Sequence, residues 1–160
     1  MAAKSPQHDS ASSSASAPPR WSYDAFLSFR GEDTRKNFTD HLYEALVQAG
    51  IHTYKDEDEH LRGREISPEL LKSIQGSRIS IVVLSRNYAS SRWCLDELVK
   101  IIACKKTLGQ LLVPIFYVVD PSDVRHQTGD FGDAFGRHDK RYVNEMEKAQ
   151  VRRAALSEAA

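Results

Sequence analysis

The stretch ISIVVLSRNYASSRWCLDEL, residues 79–98, contains a strand, a polar loop and the start of a helix in direct succession. Ile79–Leu84 is almost entirely apolar, as expected of a strand covered on both faces of a parallel sheet. Ser90 and Ser91 are suitable caps for the next helix, which we predict over Trp93–Lys105. The segment therefore predicts one strand–loop–helix unit, and its neighbours extend the pattern.

Strand and helix patterns alternate on both sides of this unit. We predict strands at Tyr23–Phe29, Ile51–Tyr54 and Leu111–Val118, and helices at Arg35–Ala49, at residues 68–75 and within Phe131–Ala160. Such alternation predicts an α/β fold with a parallel sheet and right-handed crossovers. Pro114 indicates an edge position, a bulge or an early bend in the last strand, because proline lacks the donor of a ladder hydrogen bond.

Local signals also predict where the helices begin and end. Asp33 and Thr34 are expected to cap the first helix, and Gly50 follows it where a C-terminal cap belongs. Ser67 and Pro68 are typical of a helix start. The inward stripe of the first helix is predicted at Phe38, Leu42, Ala45, Leu46 and Ala49.

Composition narrows the class of protein. The 160 residues suit one domain, and the 22 basic and 22 acidic residues balance. We therefore expect no general electrostatic binding of nucleic acid or of an anionic membrane. No apolar run approaches the roughly 20 residues of a membrane span. Cys94 and Cys104 are predicted about 15 Å apart on one helix, too far to pair, which favours a reducing compartment.

The first twenty residues differ from the remainder. Met1–Arg20 is rich in Ser, Ala and Pro and has almost nothing to bury, so we expect a disordered tail. A transit peptide is the alternative, which the presence of only two basic residues, Lys4 and Arg20, makes the weaker one. No later linker divides the chain, so residues 21–160 are expected to form the domain.

Polar segments follow three of the predicted strands. Arg30 and Gly31 come after the first, the loop Asp56–Glu65 after the second, and Ser85–Trp93 after the third. Ligands of open α/β sheets bind beyond the carboxyl ends of the strands. These three segments are therefore expected to meet at one edge and form a site.

Four blocks of the sequence resemble plant TIR domains, in the family's order. They are YDAFLSFRGEDTRKNFTDHLYEAL (23–46), LRGREI (61–66), SIVVLSRNYASSRWCLDEL (80–98) and LLVPIFYVVDPSDVRHQTGDFGDAF (111–135). The resemblance implies a flavodoxin-like three-layer sandwich with strand order 2-1-3-4-5. The chain stops at Ala160, before the segment that carries the family's fifth strand, so we expect four strands. Ala25 stands where many members have valine.

Glu97 is the candidate catalytic residue. Trp93 and Glu97 are four apart on the predicted helix and project from one face, where the ring is suited to stack on a nucleoside. A carboxylate there stabilises the oxocarbenium-like charge that develops when nicotinamide leaves ribose. By spacing alone, a surface glutamate favoured by the helix dipole is the better interpretation. The resemblance reverses that preference, because it implies that Glu97 catalyses NAD cleavage.

The resemblance also implies the other site residues. The residues expected to bind the substrate are Arg30, Gly31, Arg62, Gly63, Ser91 and Trp93, with Arg62 and Gly63 on a mobile loop. Asp40 and His41 are expected at a self-association surface, where Asp40 replaces the family's serine. NAD is the substrate, so no cofactor is expected. The Cys and His residues lack metal-ligand spacing. The acidic run Asp56–Glu59 is interpreted as a solvated loop.

Two functions remain open at this point. The first is an NAD nucleosidase, with or without ADP-ribosyl cyclase activity, that makes a nucleotide signal in plant innate immunity when the domain self-associates. The second is a non-catalytic scaffold that recruits other TIR or downstream immune proteins. Both are expected in the cytoplasm, or shared between cytoplasm and nucleus. The chain is either a piece of a receptor or a short TIR-only protein.

Overall fold

The computed structural model describes residues 20–56 and 65–160. Four parallel strands form one sheet in the order β2-β1-β3-β4, which confirms the predicted topology. Their bounds are β1 Tyr23–Ser28, β2 Thr53–Lys55, β3 Ser77–Leu84 and β4 Leu111–Phe116. The predicted tail up to residue 19 and the loop positions Arg62 and Gly63 lie outside the described residues.

Helices connect the strands and cover both faces of the sheet. They are α1 Gly31–Thr34, α2 Asp40–Gln48, α3 Pro68–Gln75, α4 Arg92–Leu108, α5 Pro121–His126, α6 Gly129–Arg141 and α7 Met146–Ala159. A π-helical turn, Arg35–Thr39, joins α1 to α2, and short 3-10 turns cover Tyr88–Ser90 and Val143–Glu145. Within the described ranges, no helix combines the length and the apolar character that a membrane crossing requires.

The central strand β3 separates two hydrophobic cores. Val82 and Leu84 face a large core that includes residues of α3, α4, α6 and α7. Ile81 and Val83 face a smaller core, which packs against the half-buried Phe38 of the π-helical turn and side chains of α2. The apolar run of residues 79–84 is therefore covered on both sides, as predicted, and the fold has three layers.

The first helical segment begins earlier than predicted. Helical structure starts at Gly31 rather than Arg35. Asp33 lies inside the first turn, where its carboxylate accepts hydrogen bonds from Ser85 Oγ and from the backbone and side-chain amides of Asn87. The prediction that Asp33 and Thr34 cap the helix is therefore wrong, because Asp33 instead ties the loop after β1 to the loop after β3.

The predicted inward stripe of this helix is partly wrong. Phe38, Leu42 and Leu46 pack against the smaller core, but Ala45 and Ala49 are exposed. Tyr43 packs against the same core, so the buried face of α2 is centred on Leu42, Tyr43 and Leu46, which leaves Ala45 outside it. Ala49 follows the end of α2 at Gln48.

The predicted caps of the later helices are confirmed. Ser67 Oγ accepts from the Leu70 amide at 3.2 Å, and Pro68 opens α3. Ser91 Oγ accepts from the Cys94 amide at 3.1 Å, so α4 begins at Arg92. Each cap satisfies one of the amides that a helix start leaves without an intrahelical partner.

β4 is the outer strand of the described sheet, which confirms an edge position for Pro114. Pro114 lies opposite Val82 of β3. The side chains of Leu111 and Val113 are exposed on this strand. The region after β4 divides into three helices, where the sequence indicated one helical stretch.

Ion pairs attach α7 to α4. Arg152 is 5% exposed and donates through Nε and Nη2 to the two carboxylate oxygens of Asp96, at 2.9 and 3.3 Å. Arg92 at the start of α4 pairs with Glu145, just before α7, at 2.8 Å. The helix that carries Glu97 is thus fixed from outside by charged groups.

We expect Arg152→Ala to lower the free energy of unfolding by about 2 kcal/mol, because it removes two charge-assisted hydrogen bonds at a buried position. Urea denaturation measures the change. Lys106→Ala is the control: its pair with Glu158 spans 3.0 Å but is well exposed, so less than about 1 kcal/mol is expected. Equal losses in the two variants would contradict a structural role for the Arg152 pair.

Candidate active site

The carboxyl ends of three strands meet at one edge of the sheet, as predicted. Arg30 follows β1, Asp56 follows β2, and the loop after β3 leads into α4. Glu97 lies on α4 beneath these segments and is only 2% exposed. The interpretation of Glu97 as a surface glutamate is therefore wrong.

The Glu97 carboxyl group is held by two donors. Ser28 Oγ donates to Oε1 at 2.7 Å. The indole N–H of Trp93 donates to Glu97 Oε2 at 3.0 Å and to Asp56 Oδ2 at 2.7 Å. One N–H group therefore joins two carboxyl groups that come from different elements of the fold.

The surroundings favour the protonated form of Glu97. Burial raises the pKa of Glu97 well above its ordinary value, and the neighbouring carboxyl group of Asp56 raises it further. Hydrogen bonds from Ser28 and Trp93 stabilise the carboxylate and act in the opposite direction. Ionisation of Glu97 places a negative charge beside the carboxyl group of Asp56, which shares the same donor.

A count of protons leads to the same conclusion. Ser28 Oγ lies 2.8 Å from the Tyr88 hydroxyl, and that hydroxyl donates to the Cys94 carbonyl at 3.1 Å. Together with the contact between Ser28 and Glu97 there are three contacts, but the two hydroxyls supply only one proton each. Ser28 donates to Glu97 when Glu97 is a carboxylate, whereas a protonated Glu97 donates to Ser28 Oγ instead and supplies the third proton. When Glu97 is ionised, one of these buried contacts has no proton.

Arg30, Ser91 and Trp93 lie together, as the sequence predicted. They line one side of a cavity of about 430 Å³ that also contains residues of α6, and Glu97 lies one helical turn beyond Trp93. The cavity residues are Arg30, Ser90, Ser91, Arg92, Trp93, Arg137, His138, Arg141 and Tyr142. Its volume is within the range of small-molecule sites.

The individual environments of these residues differ. Arg30 is 8% exposed and pairs with Glu32 at 3.1 Å, and Gly31 is buried as the first residue of α1. Trp93 is 2% exposed, so its ring face is covered in this structure. Its contact within the site is the hydrogen bond that its indole N–H donates to Glu97. Arg62 and Gly63 lie outside the described residues.

The candidate self-association residues lie on α2, away from this cavity. Asp40 accepts from Lys55 Nζ of β2 at 3.2 Å. His41 is exposed. Asp40 therefore fastens the helix to the sheet while its side chain stays 46% exposed, and His41 faces solvent.

Ser28 and Tyr88 of the site were missed in the sequence, and the burial of Asp56 was misjudged although its loop was expected at the site. Asp56 was interpreted as part of a solvated acidic loop, which is wrong, because it is buried and accepts from Trp93. Its position directly after β2 was the available signal. Ser28 is a polar residue at the end of an apolar strand, but nothing in the sequence connected it or Tyr88 to Glu97. Within residues 20–56 and 65–160, no group of three or more Cys, His, Asp or Glu side chains is placed to hold a metal ion.

The protein is an α/β domain with a buried carboxyl group at the carboxyl edge of its sheet. The family model described as "TIR domain" matches residues 22–160. The chain belongs to the TIR domain family.

Curated relatives come from plants. Disease resistance protein RPV1 of Vitis rotundifolia is 56% identical over 151 residues, which are 94% of this chain and 10% of that protein. TMV resistance protein N of Nicotiana glutinosa is 55% identical over 147 residues, 92% of this chain and 13% of that protein. The chain therefore spans about a tenth of the length of the curated relatives it matches.

A solved structure is also similar over most of the chain. The TIR domains in the structure of the activated Roq1 resistosome, which directly recognises the pathogen effector XopQ, are 50% identical with a TM-score of 0.80. The match covers 86% of this chain and 83% of that one.

We expect the stability of the parent protein to fall as pH rises from the ordinary carboxyl pKa towards the raised pKa of Glu97. In this window the folded state binds more protons than the unfolded state. The titration of Glu97 therefore lowers the free energy of unfolding by up to about 1.4 kcal/mol per pH unit. Glu97→Gln removes this titration and keeps a donor for Ser28. Urea unfolding at several pH values should give a flatter profile for Glu97→Gln; identical slopes would contradict a raised pKa.

Proposed function

We propose that this domain cleaves NAD between nicotinamide and ribose, with Glu97 as the catalytic residue. The observation that carries the proposal is the buried carboxyl group of Glu97, joined to Asp56 through Trp93 and placed beside an arginine-lined cavity. The product is linear or cyclic ADP-ribose or a ribosylated nucleotide. Its role is that of a nucleotide signal in plant innate immunity.

The chemistry needs Glu97 as a carboxylate. Nicotinamide leaves as a neutral base from a cationic pyridinium, so the leaving group requires no proton. The positive charge that develops on ribose is stabilised by a carboxylate in a site with little water. A bound pyridinium lowers the pKa of Glu97, because a nearby positive charge favours the ionised form. Substrate binding therefore promotes the active protonation state.

The remaining residues position the substrate. Arg30 is suited to the NAD diphosphate, since a guanidinium group pairs well with phosphate oxygens. Gly31 allows close approach of the backbone, and Ser91 and Trp93 fix the start of α4 beside the cavity. We further propose that Arg62 and Gly63 contact the substrate from the loop after β2.

Self-association and location complete the proposal. The similar TIR domains belong to a resistosome structure, which supports TIR–TIR contacts, and we assign one such surface to α2 around Asp40 and His41. Other TIR and downstream immune proteins are further partners. Cys94 and Cys104 are both free thiols, which supports a cytoplasmic or nucleocytoplasmic location.

The alternative function is a non-catalytic scaffold that acts through TIR–TIR contacts. The specific observation in its favour is the burial of Glu97 and Trp93, which leaves the carboxyl group covered in this structure. Under this alternative the network around Glu97 stabilises the fold only.

We expect Glu97→Gln to reduce the release of nicotinamide from NAD by at least about 100-fold, because the neutral amide cannot stabilise the positive charge on ribose. Chromatography at high protein concentration measures the release. The control is Glu147→Gln, an exposed glutamate of α7, which should match the parent. Absence of release from a parent protein that is folded and self-associated would favour the scaffold.

We expect Asp56→Asn to move the rising limb of the pH profile of kcat/KM for NAD to lower pH. The Asp56 carboxyl group raises the pKa of Glu97, so its neutralisation allows Glu97 to ionise at lower pH. Asp133→Asn, an exposed site on α6, is the matched control. A limb that moves to higher pH in Asp56→Asn would contradict the assigned coupling.

A further inference from the structure

The lining of the cavity includes three arginines and a histidine that NAD cleavage by Glu97 does not itself require. We define the cationic wall as Arg92 at the start of α4 together with Arg137, His138 and Arg141 of α6. Arg30 is the one further charged side chain among the described residues that line the cavity. The wall therefore presents positive charge to a cavity that already adjoins the Glu97 helix.

The cations of the wall are held in place by neighbouring groups. The guanidinium of Arg92 lies 3.6 Å from the centre of the Tyr142 ring and pairs with Glu145 at 2.8 Å. Arg137 Nη2 donates to Ser90 Oγ at 3.1 Å. Such contacts fix the side-chain conformations in advance, which reduces the conformational entropy that these side chains lose when a ligand binds.

The charges of the wall are only partly balanced. The carboxylate of Glu145 balances the charge of Arg92, and the carboxylate of Glu32 balances the charge of Arg30. Arg137 contacts a neutral hydroxyl and Arg141 lies near the Tyr142 ring. Among the described residues that line the cavity there is no carboxylate, so an excess of positive charge remains there.

His138 responds to this excess. Its Nε2 lies 2.8 Å from the Ala89 carbonyl and donates to it. Burial lowers the pKa of His138, and the positive charges of Arg152, Arg92 and Arg137 lower it further, although the Ala89 contact opposes them. An anion placed between these cations would reverse their effect on the imidazole.

We propose that the cationic wall binds a phosphoryl group, in particular a diphosphate. Guanidinium groups bind phosphate oxygens through paired hydrogen bonds, and Arg137 and Arg141 lie four residues apart on one face of α6. The cavity of about 430 Å³ is large enough for a diphosphate with part of an attached nucleoside. Helix α6 then forms part of a site that the strand ends and α4 otherwise form.

Two kinds of molecule carry the group that the cationic wall would bind. One is the diphosphate of NAD itself, in which case the inference rests on the proposed function and the wall contributes to substrate binding. The other is a second phosphate-bearing molecule that occupies the cavity beside NAD. In both cases the group recognised is a diphosphate, and binding of inorganic pyrophosphate tests it without any need for NAD cleavage.

The first experiment measures pyrophosphate binding at constant ionic strength. Titration is followed by calorimetry and by the imidazole NMR signals of His138, assigned with His138→Gln. We expect Arg137→Gln with Arg141→Gln to weaken binding at least tenfold, and we expect pyrophosphate to raise the pKa of His138 by about one in the parent. Arg78→Gln with Arg125→Gln removes the same charge from exposed positions outside the cavity and should bind like the parent.

The outcomes are distinct. Undiminished binding in the Arg137 and Arg141 variant, or no change in the His138 signals, overturns the proposal even if NAD is cleaved. If the site is confirmed, a raised KM for NAD in that variant assigns it to the NAD diphosphate. An unchanged KM, with pyrophosphate still binding in the presence of NAD, assigns it to a second molecule. Confirmed pyrophosphate binding without NAD cleavage refutes only the proposed function.

Discussion

The shared hydrogen-bond donor of Trp93 is the interaction on which the site depends. Its indole N–H contacts Glu97 on the same helix and Asp56 at the end of β2. Burial of two carboxyl groups costs free energy unless donors and protons compensate. The indole, the Ser28 hydroxyl and a retained proton provide that compensation. The same arrangement makes the pair tolerable in the folded protein and keeps the Glu97 carboxyl group in its protonated form.

Local sequence signals were sufficient for the strands and for most helix starts. The apolar run of β3 and the serine caps of α3 and α4 act over a few residues, so their effects can be predicted from the printed chain. The strand order followed from the family resemblance rather than from periodicity. Asp33 and Asp56 were misjudged, because their hydrogen-bond partners come from distant segments. Ser28 and the α6 arginines were missed for the same reason, because the residues that they meet lie on other elements of the fold.

The comparisons show the family of the domain, whereas the geometry of the site supports the proposed reaction. Membership of the TIR family follows from the match over residues 22–160. The resemblance to plant disease resistance proteins applies to about a tenth of their length, so it concerns this domain alone. The catalytic proposal depends instead on the environment of Glu97, since a shared fold does not define a shared reaction.

The position of α4 has a consequence for motion. Successive residues of an α-helix point about 100° apart, so Asp96 and Glu97 face different parts of the molecule. Asp96 is fastened to Arg152 on the outer helix α7, while Glu97 is fastened to the sheet through Ser28. Rotation of α4 about its own axis is therefore resisted from two directions. The orientation of the Glu97 carboxyl group is thus held by the sheet directly and by the outer helix α7 through the neighbouring residue.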